Sequence, residues 1–180
     1  MGTQITRRSF LARTIGLAGL SILGHGCQLP AKNTADHPNI LLIVADDLGY
    51  GDLGCYGCRD TRTPAIDSLA NDGVRFTTFY ANAPECTPTR TALLTGRYQH
   101  RVGGLECALG IGNVGRYDDA IRLRESHDMG LPPSETSIAR MLKNAGYATA
   151  ICGKWHLGYE RKFFPDKHGF DDGFGPVGGA

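Results

Sequence analysis

The pattern of apolar positions predicts three strands, at residues 40–45, 74–80 and 147–152. The first is a continuous apolar run rich in branched residues, which is typical of a strand covered on both faces in a parallel sheet. It ends at two aspartates and a glycine-rich loop, and the folded domain is predicted to begin just before it, at residue 39. The third strand is expected to be buried as well.

Helical signals lie between these strands, at residues 64–72, 88–95 and 134–145, and a glycine follows each as a stop signal. Thr63 and Pro64 are typical of a helix N-terminus. Alternating strands and helices predict an α/β fold with a largely parallel or mixed central sheet and helices on both faces. The last helix places four apolar residues on one face: Ile138, Met141, Leu142 and Ala145.

Residues 97–133 are irregular and rich in glycine and charge. We expect them to form long loops over the sheet rather than a separate domain. Ligands of α/β sheets bind in the loops beyond the carboxyl ends of the strands. The Asp46-Asp47 pair and the segment from Lys154 to His156 both follow predicted strands, so both are expected at that edge.

Residues 1–27 are predicted to be an export signal rather than part of the fold. Thr6-Arg7-Arg8-Ser9-Phe10-Leu11 is a twin-arginine pattern, and a short apolar run follows it. That run is interrupted by glycines and is too short to span a bilayer comfortably, and the alternative is an amphipathic N-terminal helix. We expect the twin-arginine export machinery to deliver the protein, already folded, to the periplasm or the extracellular space. Residues 28–38 are predicted to be a polar linker.

The chain of 180 residues has room for one domain with a hydrophobic core. Its formal net charge is +1, and removal of the three arginines in the predicted signal takes the net charge to −2. A near-neutral balance gives no electrostatic reason to expect nucleic acid or an anionic membrane as a partner.

The cysteines do not predict a disulfide framework. Cys55 and Cys58 form a lone C-x-x-C pair without a second pair, which argues against a structural zinc site and gives little support for a redox role. Cys152 lies in an apolar stretch and is expected to be a buried small hydrophobe. Cys27 leaves lipid modification open, although the branched apolar residue three places before it is missing.

Asp46 and Asp47 are candidate metal ligands. Their oxygens suit a hard cation such as calcium or magnesium better than a softer metal. An isolated Asp-Asp pair is more often an acidic turn or a helix cap. Here it follows a predicted buried strand and precedes three glycines, which let a backbone approach a ligand closely.

Cys86-Thr87-Pro88-Thr89-Arg90 combines a cysteine, a helix-opening proline and an arginine with a fork of donors suited to an oxyanion. Cys86 is predicted to lie just before the positive end of a helix, where anions are favoured. The run from Cys86 to Arg97 closely resembles the signature of the sulfatase family. In that family a separate formylglycine-generating enzyme, which recognises the cysteine, the proline and the arginine, converts the cysteine to formylglycine.

Two further segments resemble the same family. The first opens with Pro38-Asn39-Ile40 and ends at Asp46-Asp47, and the second runs from Gly146 to His156. Taken alone, Lys154 and His156 fit a solvated lysine and an ordinary loop histidine. Alternation along an extended segment is predicted to place both on one face, as anion chemistry with proton transfer requires.

The resemblance implies a role for each matching residue. Asp46, Asp47 and formylglycine at position 86 would hold a divalent cation, usually calcium, with magnesium as the alternative. The hydrated aldehyde would attack the sulfur of a sulfate ester, and Arg90 would hold it. Lys154 would bind sulfate, and His156 would accept a proton when the aldehyde is re-formed.

The resemblance also implies an alkaline phosphatase-like fold, of which residues 39–180 are the N-terminal part, and a sulfated small molecule or carbohydrate as substrate. Family members are more than twice this long, so we expect the 180 residues alone to be inactive and poorly soluble. Two alternatives remain open at this point. One is a phosphoryl-transfer hydrolase of the same superfamily, which normally uses serine or threonine as its nucleophile. The other is a non-catalytic exported module that binds a metal or an anion through an unmodified Cys86.

Overall fold

The computed structural model describes residues 37–103, 105–110 and 118–178. The predicted export signal, with Cys27, and most of the predicted linker lie outside these ranges. Of the described residues, those from Asp46 onwards belong to one compact unit, and those up to Ala45 belong to another. Within the described ranges, no helix is both long enough and apolar enough to cross a membrane.

Four α-helices and two short strands are assigned in the described residues. The helices are α1 (Pro64–Asp72), α2 (Cys86–Thr95), α3 (Asp118–Glu125) and α4 (Ile138–Asn144), and the strands are β1 (Ala150–Cys152) and β2 (Asp172–Phe174). Single 3-10 turns lie between them, at Tyr50–Asp52, Gly54–Tyr56, Gln99–Arg101, Arg161–Phe163 and Pro165–His168. α1 and α2 begin and end close to the predicted positions, because proline and glycine mark those boundaries locally.

β1 and β2 pair in parallel, with Ile151 opposite Gly173 at the centre of the register. The pairing continues beyond both strands. Trp155 N–H donates to the Pro176 carbonyl and His156 N–H donates to the Val177 carbonyl, each at 3.0 Å. The segment that carries Lys154 and His156 is therefore held along its backbone.

The hydrophobic core lies directly against this segment. It contains five buried residues: Leu105, Leu109, Leu131, Trp155 and Leu157. The Trp155 indole also donates a hydrogen bond of 2.8 Å to the Phe163 carbonyl, so its one polar atom is satisfied inside the core. Burial of side chains of this size stabilises the fold by roughly 1.5–3 kcal/mol each. The core thus holds Trp155 in place, and Trp155 lies between the predicted site residues Lys154 and His156 in the sequence.

The predicted strands at 40–45 and 74–80 are not assigned as strands. Leu41 is 85% exposed and Val74 is 81% exposed. A strand is defined by ladder hydrogen bonds with a neighbour, and an apolar run specifies what a segment would bury but not which segment pairs with it. The third prediction, at 147–152, is correct only for the three residues of β1.

Other local predictions were partly wrong. α4 begins at Ile138 rather than at residue 134, because the Ser137 hydroxyl caps the helix by accepting a 3.0 Å hydrogen bond from Arg140 N–H. Its predicted apolar face includes Met141, which is 62% exposed, whereas Ala139 is the buried residue. Cys152 is exposed rather than buried, since among the described residues β1 pairs with β2 alone. Residues 97–133 contain α3 and a 3-10 turn in addition to loops.

His168 makes the stability of this unit dependent on pH. Its ring is fully buried and packs 5.3 Å from the Trp155 ring. Burial lowers its pKa from 6.5 to about 4, and the charge of Arg140 adds to the effect. A depressed histidine pKa means that the folded state favours the neutral ring. We therefore expect full stability above about pH 6.5 and a loss of about 3 kcal/mol as the pH falls towards 4.

Urea denaturation over this pH range measures the effect. His168→Phe should flatten the dependence between about pH 6.5 and 4, because phenylalanine keeps a ring of similar size at this position but cannot be protonated. His100→Phe, at an exposed histidine, should keep the dependence. If the free energy of unfolding depends on pH equally in the wild type and in His168→Phe, His168 does not cause the loss of stability.

Candidate active site

Cys86 is the first residue of α2, not the residue before it as the sequence predicted. Glu85 is the N-cap, in an extended conformation, and its carboxylate accepts a 2.5 Å hydrogen bond from Ala108 N–H. Helix geometry fits this start because Pro88, in the first turn, lacks an N–H that would have no intrahelical partner there. The Cys86 side chain therefore lies at the positive end of the helix dipole.

Four of the predicted site residues meet at this point. Lys154 Nζ donates to Asp46 Oδ2 at 2.9 Å and to Cys86 Sγ at 3.1 Å. Cys86 Sγ lies 3.6 Å from Asp46 Oδ1. Arg90, one turn along α2 from Cys86, donates to Asp46 Oδ1 at 3.3 Å and to the Lys154 carbonyl at 2.6 Å. Lys154 thus contacts both the thiol and the Asp46 carboxylate, and Arg90 contacts the same carboxylate.

Asp46 and Lys154 each stabilise the charged form of the other. The hydrogen bond from Lys154 is the main cause that lowers the pKa of Asp46, with Arg90 adding to it and burial opposing it. The same contact with Asp46 raises the pKa of Lys154. Asp46 is therefore anionic and Lys154 cationic at neutral pH. Lys154 and Arg90 are each only 15% exposed, so water screens them less than it screens surface ion pairs.

Asp47 completes a candidate metal site. Asp46, Asp47 and Cys86 each offer one ligand atom, and these atoms all lie within 4.8 Å of one another. Asp47 has a φ of +58°, a left-handed conformation that is uncommon for a residue with a side chain. Two carboxylates and a thiol are a mixed donor set, because sulfur suits softer metals. With an oxygen in place of sulfur at residue 86, the set consists only of oxygens and fits calcium or magnesium.

His156 lies close enough to this cluster for the charges of Lys154, Arg90 and Asp46 to act on its ring. Its backbone has a φ of +56°, a left-handed conformation, so the segment is not continuously extended at this residue. That Lys154 and His156 share one face stays a prediction. The ring is buried, and its Nε2 lies 2.7 Å from the Leu109 carbonyl oxygen. Burial lowers the pKa of His156, the hydrogen bond to Leu109 opposes this, and the nearby charges of Lys154 and Arg90 lower the pKa further. The ring is therefore neutral at neutral pH.

Thr87 is a site residue that the sequence did not reveal. It is fully buried, and its hydroxyl joins α2 to both His156 and Leu109. Thr87 occupies an unspecified position of the C-x-P-x-R pattern. No spacing or periodicity links it to a histidine 69 residues away.

The structure is similar to solved structures of much larger chains. The crystal structure of Ps i-CgsB matches with a TM-score of 0.65 and 40% identity, over 79% of this chain and 28% of that one. The PsFucS1 sulfatase from Pseudoalteromonas sp. matches with a TM-score of 0.58 and 36% identity, over 76% of this chain and 25% of that one. The fold is therefore the predicted α/β, alkaline phosphatase-like fold, of which this chain contains a part.

A family model described as Sulfatase matches residues 38–179, and the chain belongs to the sulfatase family. Steryl-sulfatase of Mus musculus is 50% identical over 148 residues, which is 79% of this chain and 22% of that protein. N-acetylgalactosamine-6-sulfatase of Homo sapiens is 42% identical over 145 residues, which is 81% of this chain and 26% of that protein. The chain spans about a quarter of the length of the curated relatives it matches.

Proposed function

We propose that this chain carries the nucleophile and the adjoining anion-binding groups of a sulfuric ester hydrolase of the arylsulfatase type. The observation that carries the proposal is the contact of Lys154 with both Cys86 and Asp46, together with the contact of Arg90 with Asp46, at the start of α2. Two largely buried cations beside a nucleophile suit an ester whose transition state gathers negative charge on sulfate oxygens. Membership of the sulfatase family supports the same activity.

The nucleophile is proposed to be formylglycine made from Cys86. Pro88 and Arg90 provide the rest of the sequence that the modifying enzyme recognises. Arg90 is proposed to hold the hydrated residue 86, and Lys154 to bind the sulfate group and residue 86. The contact of Lys154 with Cys86 supports the second role. His156 is neutral and buried, so it is available to take up a proton.

The proposed metal is calcium, or magnesium, held by Asp46, Asp47 and residue 86. When bound, such a cation stabilises negative charge on sulfate oxygens and favours the ionised form of a hydroxyl. Conversion of Cys86 would change the third donor from sulfur to oxygen. We therefore propose that the modification creates the preference for a hard cation as well as the nucleophile.

We propose a sulfated carbohydrate as the substrate. N-acetylgalactosamine-6-sulfatases are among the relatives, and Ps i-CgsB was also solved in complex with k-i-k-neocarrahexaose. Steryl-sulfatases and arylsulfatases are similar to the chain as well, so a substrate panel should include a sterol sulfate and an aryl sulfate.

Export is proposed from the N-terminal sequence. The twin-arginine pattern at Arg7-Arg8 supports passage through the twin-arginine machinery to the periplasm or beyond. That route carries folded chains, which leaves time in the cytoplasm for modification of Cys86.

The experiment that tests the function is peptide mass spectrometry of residue 86 in protein purified from its native host. We expect an aldehyde, trapped as its hydrazone, in place of the thiol. Arg90→Lys should prevent the conversion, because lysine lacks the planar fork of donors, whereas Thr91→Val should leave the conversion complete. An unmodified thiol throughout, with no sulfate release from any ester in the panel, would refute the proposal. Release of phosphate instead would favour a phosphoryl-transfer hydrolase.

A further inference from the structure

The two ring nitrogens of His156 are held differently. Nε2 lies 2.7 Å from the Leu109 carbonyl oxygen, whereas Nδ1 is buried and has no hydrogen-bond partner among the described residues. A carbonyl oxygen can only accept a hydrogen bond. In the neutral ring, Nε2 must therefore carry the proton, and Nδ1 must keep the free lone pair.

The hydroxyl group of Thr87 forms hydrogen bonds with the backbones of both His156 and Leu109. Thr87 Oγ accepts a 3.0 Å hydrogen bond from Leu109 N–H and donates its only proton to the His156 carbonyl at 2.9 Å. The Thr87 hydroxyl thus fixes the backbone of His156 and the backbone of Leu109, whose carbonyl accepts the hydrogen bond from Nε2–H. Because Thr87 adjoins Cys86 in α2, the histidine and the nucleophile are positioned by the same turn of helix.

The backbone of His156 needs such support. A left-handed φ is unfavourable for a residue with a Cβ and persists where surrounding contacts enforce it. The contacts here are the Thr87 hydroxyl at the carbonyl and the Val177 carbonyl at the N–H. The Leu109 carbonyl also accepts the Tyr159 hydroxyl at 3.1 Å, so both of its lone pairs are engaged in the observed orientation.

We infer that Thr87 is a positioning residue that holds His156 as its Nε2–H tautomer, so that Nδ1 is the atom that accepts the proton. The catalytic meaning rests on the proposed function, whereas the tautomer is a property of the folded chain. When the aldehyde at residue 86 is re-formed, the hydroxyl proton passes to Nδ1 and its O–H electron pair forms the C=O bond. Sulfate leaves with the electrons of the broken C–O bond.

The test is long-range ¹H–¹⁵N correlation NMR of the chain labelled with ¹⁵N in histidine, near neutral pH. Signals of His156 are assigned by their loss in His156→Gln. In the wild type we expect Nδ1 at the shift of an unprotonated nitrogen and Nε2 at that of a protonated one. Thr87→Ser, which keeps the hydroxyl, should preserve this pattern. Thr87→Val should lower the tautomer preference about fivefold, the effect of one lost hydrogen bond.

Thr91→Val is the matched control. Thr91 lies one turn from Thr87 in the same helix and is equally buried, but its hydroxyl has no partner among the described residues. This variant should leave the His156 signals unchanged. The inference is overturned if wild-type Nδ1 is protonated, if the two tautomers are equally populated, or if Thr87→Val matches the wild type.

Two other outcomes are also decisive. If Thr87→Val does not fold, the wild-type tautomer still decides which nitrogen is the base. Thr87→Ala then replaces it in the comparison with Thr87→Ser. An unmodified Cys86 without sulfate release would refute the proposed function while leaving the tautomer result intact, so the two failures can be told apart.

Discussion

Replacing Cys86 by alanine should abolish sulfate release by the protein that its native host makes. Alanine supplies neither a thiol for conversion nor any side-chain oxygen, so no covalent attack on sulfur is available. Loss of a nucleophile costs on the order of 10⁴- to 10⁶-fold in turnover in enzymes of this kind. The measurement is sulfate release from p-nitrophenyl sulfate and from a sulfated oligosaccharide, with the aldehyde content of residue 86 determined on the same sample.

Cys152→Ala is the control for this prediction. Cys152 is an exposed cysteine in β1, two residues from Lys154, so its loss should leave turnover and conversion unchanged. Wild-type rates in Cys86→Ala would show that residue 86 is not the nucleophile. Equal losses in both variants would indicate general damage to the fold.

Lys154→Met should have the second largest effect, a fall of about 10²- to 10³-fold in turnover. Methionine keeps most of the length and apolar volume of the lysine stem but removes the charge. The ammonium group contacts both Asp46 and Cys86, so its loss removes the cation nearest to the proposed reaction centre. The pKa of Asp46 should rise towards its ordinary value for the same reason, since Lys154 is the main cause that lowers it.

Lys143→Met makes the same chemical change at the end of α4. Lys143 is half-exposed and pairs with Asp171 rather than with a site residue. Its replacement removes one solvent-exposed ion pair and should leave turnover unchanged. If Lys154→Met turns over at the wild-type rate, Lys154 does not stabilise charge on the sulfate group.

Local signals in the sequence predicted the elements that depend on their own residues. Pro64 begins α1 and Gly73 follows its last residue. Gly96, with a φ of +66°, follows the last residue of α2. These boundaries follow from backbone geometry within a few residues, and no distant contact is needed to set them. The strands at 40–45 and 74–80 were not found, because pairing depends on a second segment that the apolar pattern does not specify.

The sequence by itself determined the family and most of the candidate site. The residue order around Cys86, the pair Asp46-Asp47 and the segment Lys154-Trp155-His156 carry that information. Their contacts span 40 to 108 positions along the chain, and such separations leave no periodic signal.

Only the tertiary structure decided how these residues meet. It placed Lys154 on both Cys86 and Asp46, placed Arg90 on Asp46, and set Nε2 of His156 against the Leu109 carbonyl. It also revealed Thr87, whose role depends on two hydrogen bonds to residues far away in the chain. The physical reason is that tautomer, charge and orientation are set by neighbours in space, whereas a motif specifies only neighbours in sequence.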